Sequence, residues 1–390
     1  MSITRDAAGE VCAAAAAADL VLLTWTAGGA RVTSEQQLVD AYDALDGALS
    51  ELGAVPIQER VFAEEWMAAA VARGRARALT RSGERGERWA VPPTIVEGAP
   101  VAGAGVAGIQ VVGCRGRSRL LADSGRILGR AVEGGSARFL GLSDVGRRLL
   151  APRIFRRAEE ARAVLEAARA ILAREGLSFA DVARTWFYLD GILDWYGDFN
   201  RSRNAFFREA GMASDATSPI PASTGIGGRN ARGGCCTLDL VVIRAANRQP
   251  VERRRLHNPR QNEATQYGSA FARALQVSTR DARYVFVSGT AAIDGAGATL
   301  HAGDFEAQAL YTLDAVEALL EGAGARLTDI GQATAFLKHR SDARVFERLV
   351  GRREIEAVPI VKTLADVCRP ELLFELDATV VVPLTPPPRI

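Results

Sequence analysis

No two cysteines in this sequence stand at CxxC spacing, and none of its three histidines has metal-ligand spacing to another. The five cysteines, Cys12, Cys114, Cys235, Cys236 and Cys368, are odd in number, which argues against a disulfide framework or a zinc site and fits reduced thiols in a cytoplasm. Charge of one sign is missing too. The 48 basic and 46 acidic residues leave a formal net charge of +2, so nothing points to a nucleic-acid or membrane surface. A long apolar run is also absent. The Ala-rich stretch Cys12–Asp19 follows Asp6 and Glu10 and is too short for a signal peptide or a membrane span. The arginine cluster Arg253, Arg254 and Arg255 reads as a solvated linker. The Gly-rich stretch STGIGGRNARGG has neither the GxGxxG nor the Walker spacing, which speaks against a phosphate loop.

What is present is a pattern written three times. Its unit is an amphipathic helix, an apolar strand, a second helix, and a Pro-led loop into a last strand. In the third copy Tyr284–Ile293 reads as a strand, Phe305–Glu321 as a helix stopped by Gly322 and Gly324, and Gln332–Leu337 as a strand. Asp342–Gly351 is its second helix and Glu371–Pro383 its last strand. The second copy predicts helices over Ala158–Glu175 and Trp195–Ala210, strands over Arg184–Leu189 and Cys236–Arg244, and a loop over Pro219–Gly234. The first predicts helices over Ser34–Leu52 and Glu64–Arg77, strands over Val55–Phe62 and Val106–Val112, and a loop over Pro92–Gly103. Ser34 and Gln37 there form a capping-box pattern. The loops align as PPTIVEG, PIPASTG and VPIVKT, and the last strands as AGIQVVG, TLDLVVI and ELDATVV. Each copy is the size of a domain. The boundaries expected are 1–115, 116–250 and 251–390, arranged as a covalent pseudo-trimer with ligand grooves where copies meet.

The segments VSGTAAI, AQALYTLDAVEALLEGAGARLTDI and ELDATVV resemble the YjgF-like family, the reactive intermediate deaminases. That resemblance implies an α+β fold of three tandem YjgF-like (chorismate-mutase-like) domains, the first degenerate in sequence. Over roughly 137–382 the chain resembles the chorismatases more specifically, through TWFYLDGILDWYGDFNRSRNAFF, IPASTGIGGRNA, NPRQNEATQYGSAFARA and DVCRPELLFELDA. Chorismatases cleave the enolpyruvyl ether of chorismate without metal or cofactor. One branch releases a dihydroxycyclohexadiene carboxylate, another 3-hydroxybenzoate, a third mixed hydroxybenzoates.

Cleaving an enol ether requires protonation of its methylene carbon, hence a proton donor whose pKa is raised towards working pH. Glu375 sits among Leu372, Leu373, Phe374 and Leu376, and the aligned positions Thr237 and Gly108 carry no carboxylate. It also matches the acid/base position of the chorismatases. Cys368 matches the cysteine of the 3-hydroxybenzoate branch, whereas Ala291 stands where that branch would have glycine. Chorismate carries two carboxylates, for which arginine supplies bidentate donors. Arg369, Arg273 and Arg203 are the candidates, with Tyr267 and Tyr188 nearby and Thr224 and Thr290 as hydroxyl donors. The expected partner is thus a small molecule. The chain itself is expected as a monomeric pseudo-trimer or weak homo-oligomer. Two other readings share the fold: an enamine/imine deaminase, in which Arg369 would hold a substrate carboxylate, and a non-catalytic small-molecule binder.

Overall fold

The computed structural model describes the whole chain except residues 1, 6–9, 15–18, 82, 124, 147, 151–155, 213–219, 247–250 and 385–390. The middle of the Ala-rich stretch and the start of the loop expected at Pro219 fall outside the described residues.

Three mixed sheets share one strand order. The first holds β1 (Ser2–Arg5), β2 (Glu10–Ala14), β3 (Leu20–Thr26), β4 (Arg31–Val32), β5 (Ala54–Ala63), β6 (Thr94–Glu97) and β7 (Ala104–Arg115), ordered β1-β2-β3-β7-β5-β6 with β4 beside β7. The second holds β8 (Arg117–Asp123), β9 (Arg126–Glu133), β10 (Ala137–Val145), β11 (Val182–Leu189), β12 (Ala222–Gly227) and β13 (Cys236–Ala245), ordered β12-β11-β13-β10-β9-β8. The third holds β14 (Glu252–Leu256), β15 (Ala274–Ser278), β16 (Ala282–Ala291), β17 (Ile330–Leu337), β18 (Ile360–Leu364) and β19 (Phe374–Pro383), ordered β14-β15-β16-β19-β17-β18. In each sheet one edge pair is parallel, β5–β6, β11–β12 and β17–β18.

Helices cover one face of each sheet. They are α1 (Glu35–Glu51), α2 (Ala68–Leu79) and the short α3 (Gly83–Arg88), then α4 (Arg157–Arg174) and α5 (Ile192–Glu209), then α6 (Phe305–Glu321) and α7 (Ala343–Arg352). The Ser34–Gln37 capping box closes reciprocally, through Gln37 N to Ser34 Oγ at 3.2 Å and Ser34 N to Gln37 Oε1 at 3.1 Å. Strand alternation assigns the two faces of each last strand. Leu376, Ala378 and Val380 of β19 pack under α6 and α7. Glu375, Asp377 and Thr379 face the other way and are buried where the three sheets meet. A separate apolar cluster fills that centre with residues from all three sheets, including Leu22, Phe62, Phe139, Trp186, Phe286 and Phe336.

Several expectations need correction. The Pro-led loops carry the edge strands β6, β12 and β18; their Gly, Ser and Thr content hides an element whose order comes from parallel pairing. The repeat unit also begins with a strand that the pattern omits, β3 in the first copy and β10 in the second. The first copy keeps the complete topology despite its divergent sequence. Glu64–Arg77 divides into a 3₁₀ turn over Glu65–Met67 and α2. The last strand starts at Phe374, not Glu371, behind a turn at Pro370. Arg253, Arg254 and Arg255 lie on β14 rather than in a solvated linker. Arg253 donates to the carbonyls of Asp181, Val182 and Ile243, which straps the third sheet to the second.

Candidate active site

A cleft of about 160 Å³ opens between the second and third sheets. From the second come Tyr196, Asn200 and Arg203 of α5 and Ser223 and Gly225 of β12. From the third come Ser269, Phe271, Arg273, Gly289, Ala291, Ile293, Cys368, Arg369 and Glu375. The spacing of Tyr196, Asn200 and Arg203 is i, i+4, i+7, which puts them on one face of α5. The two sheets are stitched beside the cleft. Ser223 N donates to Ser288 Oγ at 2.8 Å, and Ser288 Oγ donates to Ala272 O at 2.5 Å.

Glu375 is 4% exposed. Burial, reinforced by the charge of Asp377, pushes its carboxyl up to about 8, against the opposing pull of Arg184 and Arg273. That direction favours the protonated acid near neutral pH. Gly289 makes room for it: a Cβ on Gly289 would lie 2.0 Å from Glu375 Oε1. That glycine belongs to a bulge of β16 where the register to β19 shifts between Val287 and Thr290.

Among the described residues Glu375 is the one carboxyl lining the cleft, against three guanidinium groups. Arg203 and Arg273 are 1% and 2% exposed, and the guanidinium carbon of each lies near the Phe271 ring, at 5.5 and 5.7 Å from its centre. Arg203 Nη2 donates to Asn200 Oδ1 at 2.8 Å, and Arg273 Nε to Asn262 O at 2.9 Å. Arg369 Nη1 donates to Gly297 O at 2.7 Å, so the turn after β16 holds that guanidinium. Burial above all, joined by Glu375 when that carboxyl ionises, pushes the Cys368 thiol up to about 12, so it lines the cleft as a neutral thiol.

The structure thus brings together Glu375, Cys368, Arg369, Arg273, Arg203 and Ala291. It does not bring Tyr188, Thr224 or Thr290 into the lining. Tyr188 is 1% exposed and packs edge-on against Phe62 in the central cluster, because the strand alternation of β11 turns it to the axis. Thr290 Oγ1 bonds back to Ser288 O at 2.9 Å. Thr224 Oγ1 lies 2.8 Å from Asp377 Oδ2, behind Glu375. Tyr267 ends a 3₁₀ turn over Ala264–Tyr267, and its side chain lies outside what is described. Sequence reading missed Asn200, Ser223, Phe271 and Gly289 as lining residues. The helical spacing to Arg203 was the available signal for Asn200.

Residues 269–382 match the family described as Endoribonuclease L-PSP. A 3-hydroxybenzoate synthase of Streptomyces hygroscopicus is 29% identical over a stretch covering 53% of this chain and 65% of that protein, just under two thirds of the relative's length. The crystal structure of a chorismatase, 24% identical, aligns over 74% of this chain and 86% of its own with a TM-score of 0.58. The fold is that of the chorismatases. In this chorismatase-like fold the acidic cleft residue falls at the second-to-third sheet junction. A wider cleft of about 640 Å³ lies between the first and second sheets, around Trp66 and the alanines of α2. Its charged groups Glu65 and Arg229 pair with each other at 2.7 Å. No cluster of histidine, cysteine and carboxylate side chains among the described residues could hold a metal ion, and no described helix is long and apolar enough to cross a membrane.

Proposed function

We propose that this protein is a chorismatase, cleaving the enolpyruvyl ether of chorismate to pyruvate and a hydroxybenzoate by general acid catalysis. The observation that carries this reading is a buried carboxyl, pushed up to about 8, that is the one carboxyl among the described lining residues of a cleft with three arginines. A dicarboxylate ether brings two negative charges to three guanidinium groups, and Glu375 meets it as a neutral proton donor. Arg203, Arg273 and Arg369 bind the carboxylates, with geometry that bidentate donors impose on planar anions. Glu375 protonates the methylene carbon of the enol ether, and the positive charge develops on the ether carbon. Cofactor and metal have no part in these steps.

The product favoured is 3-hydroxybenzoate. The neighbouring ring hydroxyl acts as the internal nucleophile on the cation and gives a cyclic ketal; the bond from its ring carbon to that oxygen then breaks, the adjacent oxygen-bearing ring carbon gives up its proton, which restores the Glu375 acid, and the oxygen leaves as the carbonyl of pyruvate. Proximity favours an internal attack when water is excluded. Cys368, held neutral, takes the part of a space-filling weak donor beside the ring rather than of a base. The test is incubation with chorismate, pyruvate detection and chromatography of the aromatic product. 3-Hydroxybenzoate from wild type and a shift towards the non-aromatic diol in Cys368→Val support the reading. Release of the diol alone by wild type refutes the branch assignment, and absence of pyruvate refutes the activity.

A further inference from the structure

Asp377 follows Glu375 by two residues on β19, so both side chains leave the same face of the strand. It does not line the cleft; it lies behind the acid, in contact with the second sheet. Its Oδ2 accepts from Arg184 Nη2 at 2.9 Å, Trp186 Nε1 at 3.0 Å and Thr224 Oγ1 at 2.8 Å. The Arg184–Asp377 pair is 0% and 4% exposed at its side chains, which makes it a fully desolvated ion pair across the junction of two sheets. Thr224 is the node. Its hydroxyl donates to Asp377 and accepts from Gly289 N at 3.1 Å and from Arg184 Nη2 at 2.5 Å. Gly289 is the residue whose missing side chain gives Glu375 its space. One hydroxyl on the second sheet therefore fixes both the charge behind the acid and the bulge beside it.

We propose that Asp377 and Thr224 are positioning residues for Glu375: the Asp377 carboxylate, held by Arg184, fixes the charge that the acid meets on its buried side, and Thr224 locks the Gly289 bulge against it. This rests on the reading of Glu375 as the proton donor. Two carboxyls on one strand face cannot both be charged cheaply in a buried site. Asp377 is the one that Arg184, Trp186 and Thr224 hold by hydrogen bonds, while burial and the Asp377 charge push Glu375 up. The other groups facing Glu375 are Arg273 from the segment before β15, Cys368 and Arg369 from the β18–β19 connection, and Tyr196 and Arg203 from α5. Of the guanidinium groups, Arg184 and Arg273 favour ionised Glu375. Without the charge on Asp377, burial alone opposes their pull.

The experiment is a pH–rate profile beside an infrared titration of the protonated Glu375 carbonyl, assigned by difference against Glu375→Gln. In Asp377→Asn the alkaline limb moves down by at least about one pH unit, so activity near pH 8 falls about tenfold or more and recovers at lower pH. The infrared band disappears at correspondingly lower pH. Thr224→Val lowers kcat about tenfold with KM within about twofold and leaves the limb in place, and Thr224→Ser restores kcat. A limb and band that stay put in Asp377→Asn, with activity lower by the same factor at every pH, overturn the proposal. Should Asp377→Asn not fold, Thr224→Val carries the test, and a change in KM alone or no rescue by serine overturns it. Full activity in Glu375→Gln would defeat the acid assignment, while the band shift in Asp377→Asn would still decide the coupling.

Discussion

Replacing Glu375 by glutamine gives a stability signature that needs no substrate. In the unfolded chain the carboxyl titrates near its ordinary 4.5, and in the fold near 8. Between those values the folded state holds a proton that the unfolded state has released. Stability contributed by the neutral acid is therefore complete below about pH 4 and lost as pH rises through the window up to about 8. Linkage puts the loss at about 3 kcal/mol by pH 7 and about 5 kcal/mol above pH 9. Glu375→Gln has the same shape and no titration. Its stability relative to wild type should rise by that amount from pH 4 to pH 9, whatever constant offset the amide introduces. Titrating groups that do not interact with Glu375 are common to both proteins and cancel in the difference. Denaturant unfolding of the two proteins at four or five pH values measures it directly. A difference that is flat with pH means that Glu375 ionises normally in the fold, and its role as a proton donor near neutrality falls with it.

Activity should follow the same residue: Glu375→Gln loses about 10²–10⁴-fold in kcat with the fold intact, read as pyruvate release, and near wild-type turnover would contradict the assignment. Gly289→Ala puts a methyl 2.0 Å from Glu375 Oε1, so turnover should fall about 10²-fold or more while the melting temperature changes by only a few degrees. Arg203→Lys and Arg273→Lys keep the charge and lose the planar fork, and each should lower kcat/KM about tenfold to a hundredfold, mainly through KM, in steady-state assays. Gly108→Ala is the remote control: its Cβ would meet Val361 Cγ2 at 2.6 Å, costing about 1–3 kcal/mol in denaturant unfolding with kcat unchanged.

The elements that sequence made legible are those whose burial is one-sided. Phe305–Glu321 is the observed α6 to the residue, because its apolar stripe and Asp304 cap state the helix locally. The edge strands β6, β12 and β18 were read as loops. Each is defined by a neighbour far along the chain, Arg60 against Thr94 or Thr334 against Val361, and not by alternation of its own. Glu375 was visible as a carboxylate in an apolar strand that the other copies lack. Cys368 and Arg369 came from resemblance alone. Thr224 illustrates what the pattern hides: a threonine in a Gly-rich stretch looks like a ligand donor until its hydroxyl is seen spent on Asp377, Arg184 and Gly289. The hydroxyl of Thr290 is likewise spent on its own backbone neighbourhood.

The three sheet junctions explain why one of them can carry chemistry. Gly108, Thr237 and Glu375 occupy the same register, opposite Phe62, Tyr188 and Phe336 respectively. At the third-to-first junction Val361 fills the space over Gly108, leaving no room for an acid. At the first-to-second junction Thr237 stands in the acid's place. The β10 bulge, in register with that of β16, carries Asp144 instead of Gly289. Asp144 is engaged by Arg148 at 3.0 Å, Arg232 at 2.8 Å and Asn230 at 2.8 Å, so this carboxylate is a strut between elements rather than a donor facing a ligand. The inner ion pair is varied in the same way: Asp239 accepts from Gln58 and Thr94 at the first-to-second junction where Asp377 accepts from Arg184 and Thr224, and Gln110 takes the place of both acids at the remaining junction. A trimer of identical chains must repeat every substitution three times, so a buried acid, its glycine and its ion pair would be paid for at all three junctions. Joining the copies in one chain confines those destabilising groups to a single junction and lets the other two be packed for stability.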